Sequence, residues 1–378
     1  MKNSDKLWLE NIDLKILNFI NNLNTNNQYE YKPALIGVTE QGNNIKLGFS
    51  CYALKIFYIL DKLDKKSNEK HLIAGWTKYL NTYQKKDSDF PENSYIDDKF
   101  LKYSKQRRFE NLIKDYIKQS LNFTGLKTYK TSQQKLVDSI KAESKQTIST
   151  IYQVDGINGI PYINFPSDEE SINKYLNTLN WLYPWNAGAQ YSSLCLFTST
   201  QIENKVKKEK IKKYLEKYSD DLVNSETGLY HKGVQTNRHE LINGAMKVLS
   251  GFSWINKEIH YPEKLIDFCL DTEFKNEGCD LVDIVYVLYR CYEESDYRRK
   301  DIVVYLNKLL PAIKLHYYSE LGGFSYFLKK SQTHYYGLKI TNGEDTPDIH
   351  GTLLLTWAIS MILEIIEFDS LKLKILKP

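Results

Sequence analysis

Five stretches of the chain begin with small or polar residues and run straight into an apolar helix: Leu47–Leu54, Trp185–Gln190, Ile242–Lys247, Asp280–Val285 and Asp348–Leu353. A helix that is apolar on all sides buries all of them. Between these stretches lie segments rich in Lys and Glu. In residues 202–218, lysines at 205, 207, 208, 210, 212 and 213 surround an apolar stripe of Val206, Ile211 and Leu215. That composition suits a helix with one face packed and the rest in water. Buried helices alternating with solvated ones are what a closed ring of helical hairpins requires. The expected fold is therefore all-α, an (α/α) toroid with little or no sheet.

Apolar periodicity predicts helices over 7–23, 49–63, 71–83, 106–121, 131–147, 169–181, 187–199, 202–218, 241–254, 262–274, 280–292, 299–318 and 348–366. The segment 131–147 reads as polar and exposed. Pro184 and Pro262 stand where helices begin. Residues 155–166 hold two glycines and two prolines and read as a connector. They mark a possible subdivision near 150–166 within one domain spanning 1–378. Thr227-Gly228-Leu229-Tyr230 and Leu321-Gly322-Gly323-Phe324 are both glycine-then-aromatic turns ahead of an inner helix, and 155–162 reads as a third copy. The irregular repeat length suits a closed barrel better than a regular solenoid.

A net charge of +4, from 51 basic and 47 acidic side chains, does not call for nucleic acid. The five cysteines are odd in number and form no CxxC pair, and no secretory segment precedes them, so reduced thiols in a cytoplasmic protein are expected. The longest apolar run, Gly351–Ile366, is interrupted by Glu364 and falls short of the roughly 20 residues of a membrane span. No HxxxH, HExxH, Walker, GxGxxG or GxSxG pattern occurs, so neither a metal nor a cofactor is expected.

The hairpins, the Gly322-Gly323-Phe324 turn and the acidic head Asp348-Ile349-His350-Gly351-Thr352 resemble the α/α-toroid repeats of terpenoid cyclases and protein prenyltransferase β-subunits. The resemblance implies a toroid with an acidic cluster at the head of an inner helix. Two motifs depart from it. A class II cyclase carries Asp-x-Asp-Asp, and here His350 and Gly351 hold the later positions. A zinc prenyltransferase carries Asp-x-Cys, and here Asp283 is followed by Ile284 and Val285. Neither chemistry carries over. Many glycoside hydrolases, polysaccharide lyases and sugar epimerases use the same toroid, and fold alone does not choose among them.

In such a ring the heads of the inner helices meet at one rim and present free N–H groups. The expected reactive set there is Asp283, His350, Asp348 and His239. Asn186, Gln190, Tyr230, Arg238, Asn243, Asp280, Tyr336 and Asp345 are expected to position the substrate. Carboxylates crowded with imidazoles supply general acid–base catalysis. Asp283 lies in an apolar run, Leu281–Leu288, so it faces a wet cavity or pairs with Arg238 or Arg290. Asp348, after Pro347, also suits a helix N-cap, and His350 also suits a satisfied core. Tyrosines around the rim favour a hydroxylated ligand. The leading expectation is acid–base chemistry on a carbohydrate or glycoconjugate by a lyase, hydrolase or epimerase. The alternatives are an isoprenoid cyclase or prenyltransferase-like enzyme and a non-catalytic helical scaffold.

Overall fold

The computed structural model describes residues 7–63, 69–87, 89–110, 112–122, 130–163, 165–235 and 237–378. It is all-α. The helices are α1 (Ile12–Leu23), α2 (Glu40–Asn44), α3 (Leu47–Ile59), α4 (Glu69–Asn81), α5 (Asp98–Glu110), α6 (Leu112–Asn122), α7 (Ser132–Gln153) and α8 (Glu169–Leu176). They continue with α9 (Pro184–Gln201), α10 (Lys205–Leu222), α11 (Arg238–Ile255), α12 (Pro262–Leu270), α13 (Gly278–Glu294), α14 (Arg299–Lys314) and α15 (Ile349–Ile365). Among the described residues, strands occur only as three two-residue antiparallel pairs.

Helix contacts run in a cycle. α3 packs on α7, α7 on α9, α9 on α11, α11 on α13, α13 on α15, and α15 on α3. Outside the cycle, α4 lies on α3, α10 on α9, α12 on α13, and α14 on both α13 and α15. The apolar stretches of the sequence supply the inner members. Leu47 through Leu54 of α3 are buried without a break, and α15 is buried at nearly every position. The approach of α9 to α11 depends on two glycines. A Cβ on Gly188 would stand 2.9 Å from the Gly244 carbonyl oxygen, and one on Gly244 would stand 2.5 Å from Pro184 Cβ. No helix among the described residues is long and apolar enough to cross a membrane.

Two expectations need correction. Segment 131–147 belongs to α7, an inner helix and not an exposed one. Its buried face is built from Glu143, Ser144, Thr147, Ser149 and Thr150. The Thr147 and Thr150 hydroxyls donate to the Glu143 and Gln146 carbonyls at 2.9 and 2.7 Å. Polar residues that close their hydrogen bonds on their own helix can be buried, and they hide the apolar period. The second correction concerns the turn repeat. After α1, α10 and α14 the chain doubles back with Asn24 facing Tyr31, Val223 facing Tyr230 and Tyr317 facing Phe324. Each turn delivers a buried aromatic ring. Residues 155–162 follow an inner helix instead and form no such bridge. The further copy is Asn24–Tyr31, which has no glycine; the Asn24 amide donates to the carbonyls of Asn27, Gln28 and Glu30 in its place.

The ends of α3, α7 and α11 meet the segment 371–378. Lys374 N–H donates to the Ile59 carbonyl at 2.8 Å, Lys377 N–H donates to Gln153 Oε1 at 2.7 Å, and Trp254 Nε1–H donates to the Pro378 carbonyl. This end of the helix cycle is therefore spanned by chain.

Candidate functional site

The opposite end carries the unsatisfied chemistry. His350, in the first turn of α15, lies between two tyrosines. Its ring stacks on Tyr52 of α3 at 4.7 Å and 2°, and on Tyr326 at 5.1 Å and 21°. Nδ1 is buried without a partner. Burial pushes the imidazole down to about 3, and the ammonium groups of Lys247 and Lys55 push the same way. His350 is thus a neutral ring at physiological pH, with one nitrogen unused.

Asp283, in the second turn of α13, is 2% exposed. Burial raises its carboxyl to about 6, Lys247 opposes the shift and Asp280 adds to it. Oδ2 has no partner. Neither arginine considered from the sequence pairs with it. Arg290 is held by Glu293 and Glu294, and Arg238 turns outward to α12.

A second carboxyl, Glu143 of α7, accepts the Tyr335 hydroxyl proton at 2.6 Å and leaves Oε1 buried and unpartnered. Burial pushes Glu143 up to about 8, so it is protonated at neutral pH. Gly48 makes this pair possible, because a Cβ there would stand 2.0 Å from the Tyr335 hydroxyl oxygen. Tyr52 neighbours both Glu143 and Cys279, and Cys279 neighbours Asp283. The two carboxyls therefore flank the Tyr52–His350 stack.

Three lysines complete the recess: Lys55 on α3, Lys145 on α7 and Lys247 on α11. All three are half-buried. Burial, reinforced by Lys247, pushes Lys55 down to about 8; burial, reinforced by Lys55 and Lys247, pushes Lys145 down to about 7.

The structure gathers some of the expected residues and scatters others. Asp280 and Asn243 join Asp283, since the Asn243 amide donates to Asp280 Oδ1 at 3.0 Å and Asn243 Oδ1 is left free. His239, one turn before Asn243, sits at the outer edge; burial lowers its imidazole and Asp280 works against that. Tyr336 packs at a tilt against Tyr335, ring centroids 4.5 Å apart, with Glu143 nearby.

The remaining positions are corrections. Asp348 has no free oxygen. It caps α15 through Gly351 N–H at 2.8 Å and also accepts from Tyr326 N–H at 2.7 Å and Gln332 N–H at 3.0 Å, so it holds the loop instead of reacting. Arg238 donates to Thr272 Oγ1 and the Phe268 carbonyl and covers the Phe268 ring at 3.9 Å, away from the recess. Tyr230 is fully buried at the far end, its hydroxyl 3.0 Å from His260 Nδ1. Asp345 is exposed and held by the Tyr318 hydroxyl. Asn186 and Gln190 bond to each other and line a separate cavity of about 370 Å³ in the seam between α7 and α9, walled by Tyr162, Phe165, Tyr175 and Phe197.

Sequence reasoning missed Glu143, the three lysines and Tyr52. The lysines did carry a signal. Leu54-Lys55-Ile56 and Met246-Lys247-Val248 each place one cation inside an apolar run, the same anomaly that singled out Asp283. Among the described residues, no group of three or more His, Cys, Asp or Glu side chains is placed to hold a metal ion. No family model, curated protein or solved structure matches the chain.

Proposed function

We propose that the six inner helices form the wall of a closed (α/α) toroid, and that its open rim is the active centre of an enzyme performing acid–base chemistry on a carbohydrate-type substrate. One observation carries this reading: Asp283 keeps a buried oxygen free, and so does the stacked neutral imidazole of His350 at one nitrogen, both within reach of the Lys247 charge. Buried polar atoms without partners are costly in a finished core and are retained where a ligand completes them. The two carboxyls divide the work. Asp283, with a carboxyl near 6, is ionised at neutral pH and acts as the base. Glu143, near 8, is protonated and supplies the acid. His350 Nδ1 hydrogen-bonds a substrate group, and the tyrosines offer rings and hydroxyls to a polyol.

Two alternatives lose support from the same residues. A non-catalytic scaffold would pair off its rim as ion pairs, and Asp283 is not in one. An isoprenoid pocket would be lined by apolar side chains, and this site carries two buried carboxyls, Asp283 and Glu143.

The test is a thermal-shift screen of hexoses, hexuronates and sugar phosphates, followed by rate measurements on whatever stabilises. Asp283→Asn with unchanged circular dichroism is expected to lose turnover, and undiminished turnover refutes the assignment.

A further inference from the structure

We infer that Lys55, Lys145 and Lys247 together form a seat for a phosphoryl group carried by the ligand of the rim site. The inference deepens the reading above and relies on it for the reaction, but not for the binding. The first argument is charge balance. Three half-buried lysines on three different inner helices lie close enough to depress one another's basicity, and among the described residues none is ion-paired to a carboxylate. Lys55 alone has a hydrogen-bond partner, Ser149 Oγ at 3.2 Å. Glu143 is held neutral by its burial, so it offsets nothing. Asp283 is the one acid acting on the trio, and it acts through Lys247. The trio thus stands without a paired carboxylate, and buried cations are ordinarily compensated.

The second argument is shape. A carboxylate is planar and is typically matched by the guanidinium fork, whereas lysines act as separate point charges around a multiply charged group. Arg238, Arg290, Arg298 and Arg299 all bind elsewhere. Three ammonium groups from three directions suit the oxygens of a phosphate.

The experiment measures melting temperature and calorimetric affinity for the intact chain with inorganic phosphate, pyrophosphate, a hexose phosphate and citrate, each at matched ionic strength. Pyrophosphate and the hexose phosphate are expected to stabilise the wild type. Lys145→Met and Lys247→Met keep the apolar stem and relieve like-charge crowding. They are expected to melt no lower than wild type without ligand and to bind about 10- to 100-fold more weakly. Lys145→Arg, which keeps the charge, retains binding and covers the case in which a methionine variant does not fold. Tighter binding of the hexose phosphate than of inorganic phosphate assigns the group to a sugar ester, and equal binding assigns it to the free ion. Equal stabilisation of wild type and methionine variants overturns the seat, as does stabilisation by citrate alone. Asp283→Asn separates the two proposals: it is expected to lose turnover while keeping the pyrophosphate shift. Should it keep turnover while the lysine variants lose that shift, the acid–base reading fails and the seat stands.

Discussion

The two ends of the helix cycle use the same residue types and treat them in opposite ways. At the far end, the Tyr230 hydroxyl meets His260, His260 Nε2 meets Asp220 at 2.7 Å, and Lys257 meets the same carboxylate at 2.7 Å. Arg290 is closed by Glu293 and Glu294. A hollow of about 550 Å³ lies there under the segment 375–378, lined by the paired Arg290, Glu293, Glu294 and Lys257. At the rim, Asp283, His350, Glu143 and Asn243 each leave a buried atom unanswered. Residue type does not separate the ends; the state of pairing does. A Tyr–His–Asp chain that looks catalytic on paper is a strut when its tyrosine is sealed, and a lone aspartate among aliphatic residues is the better candidate.

The comparison can be broken or sharpened by mutation. The largest effect is expected from Asp283→Asn, which removes the proposed base and lowers turnover by about 100-fold or more in steady-state rates. Next is Asp348→Ala. Three backbone N–H groups lose their acceptor, so unfolding stability in urea is expected to fall by about 3–5 kcal/mol. A loss near zero would mean that Asp348 is not the closed member of the open rim.

The third prediction is a pH dependence. The folded-state carboxyl of Asp283 lies above its ordinary value, near 6 instead of 3.8. The stabilising contribution of its protonated form is complete below about pH 4 and is lost as pH rises through 6. Asp283→Asn is therefore expected to gain on wild type across that window by about 2–3 kcal/mol. Denaturation curves from pH 4 to 7.5 measure the gap, and a flat gap contradicts the buried-carboxyl account. His350 runs the other way. Its depressed value means that stability is whole above about 6.5 and declines as pH falls toward 3. The smallest effect is at the strut: Tyr230→Phe is expected to cost about 1 kcal/mol and to leave ligand binding untouched.

Much of the architecture could be read from the sequence because the inner helices are apolar on all faces. α3, α11, α13 and α15 fall within a few residues of their expected spans. α7 was obscure for a physical reason. Its apolar residues Leu136, Ile140, Ile148 and Ile151 are interrupted by buried Glu143, Ser144 and Thr147, with threonine hydroxyls bonded to the helix itself, so its apolar stripe is broken. Asp283 and His350 were legible as polar residues where apolar ones belong. Arg238 and Tyr230 were misplaced because nearness in sequence to an inner helix says nothing about which way a side chain turns. Glu143 and Lys145 went unseen because the helix that bears them was expected to be exposed.

The Tyr52–His350 stack joins the first helix of the cycle to the last, and it depends on α15 settling against α3. During synthesis the early helix waits while most of the chain is made, and its half of the site stays open to water until residues past 349 leave the ribosome. Long-range contacts of this kind form late and slowly. The proposed site is therefore completed only in the final act of folding, when α15 closes on α3.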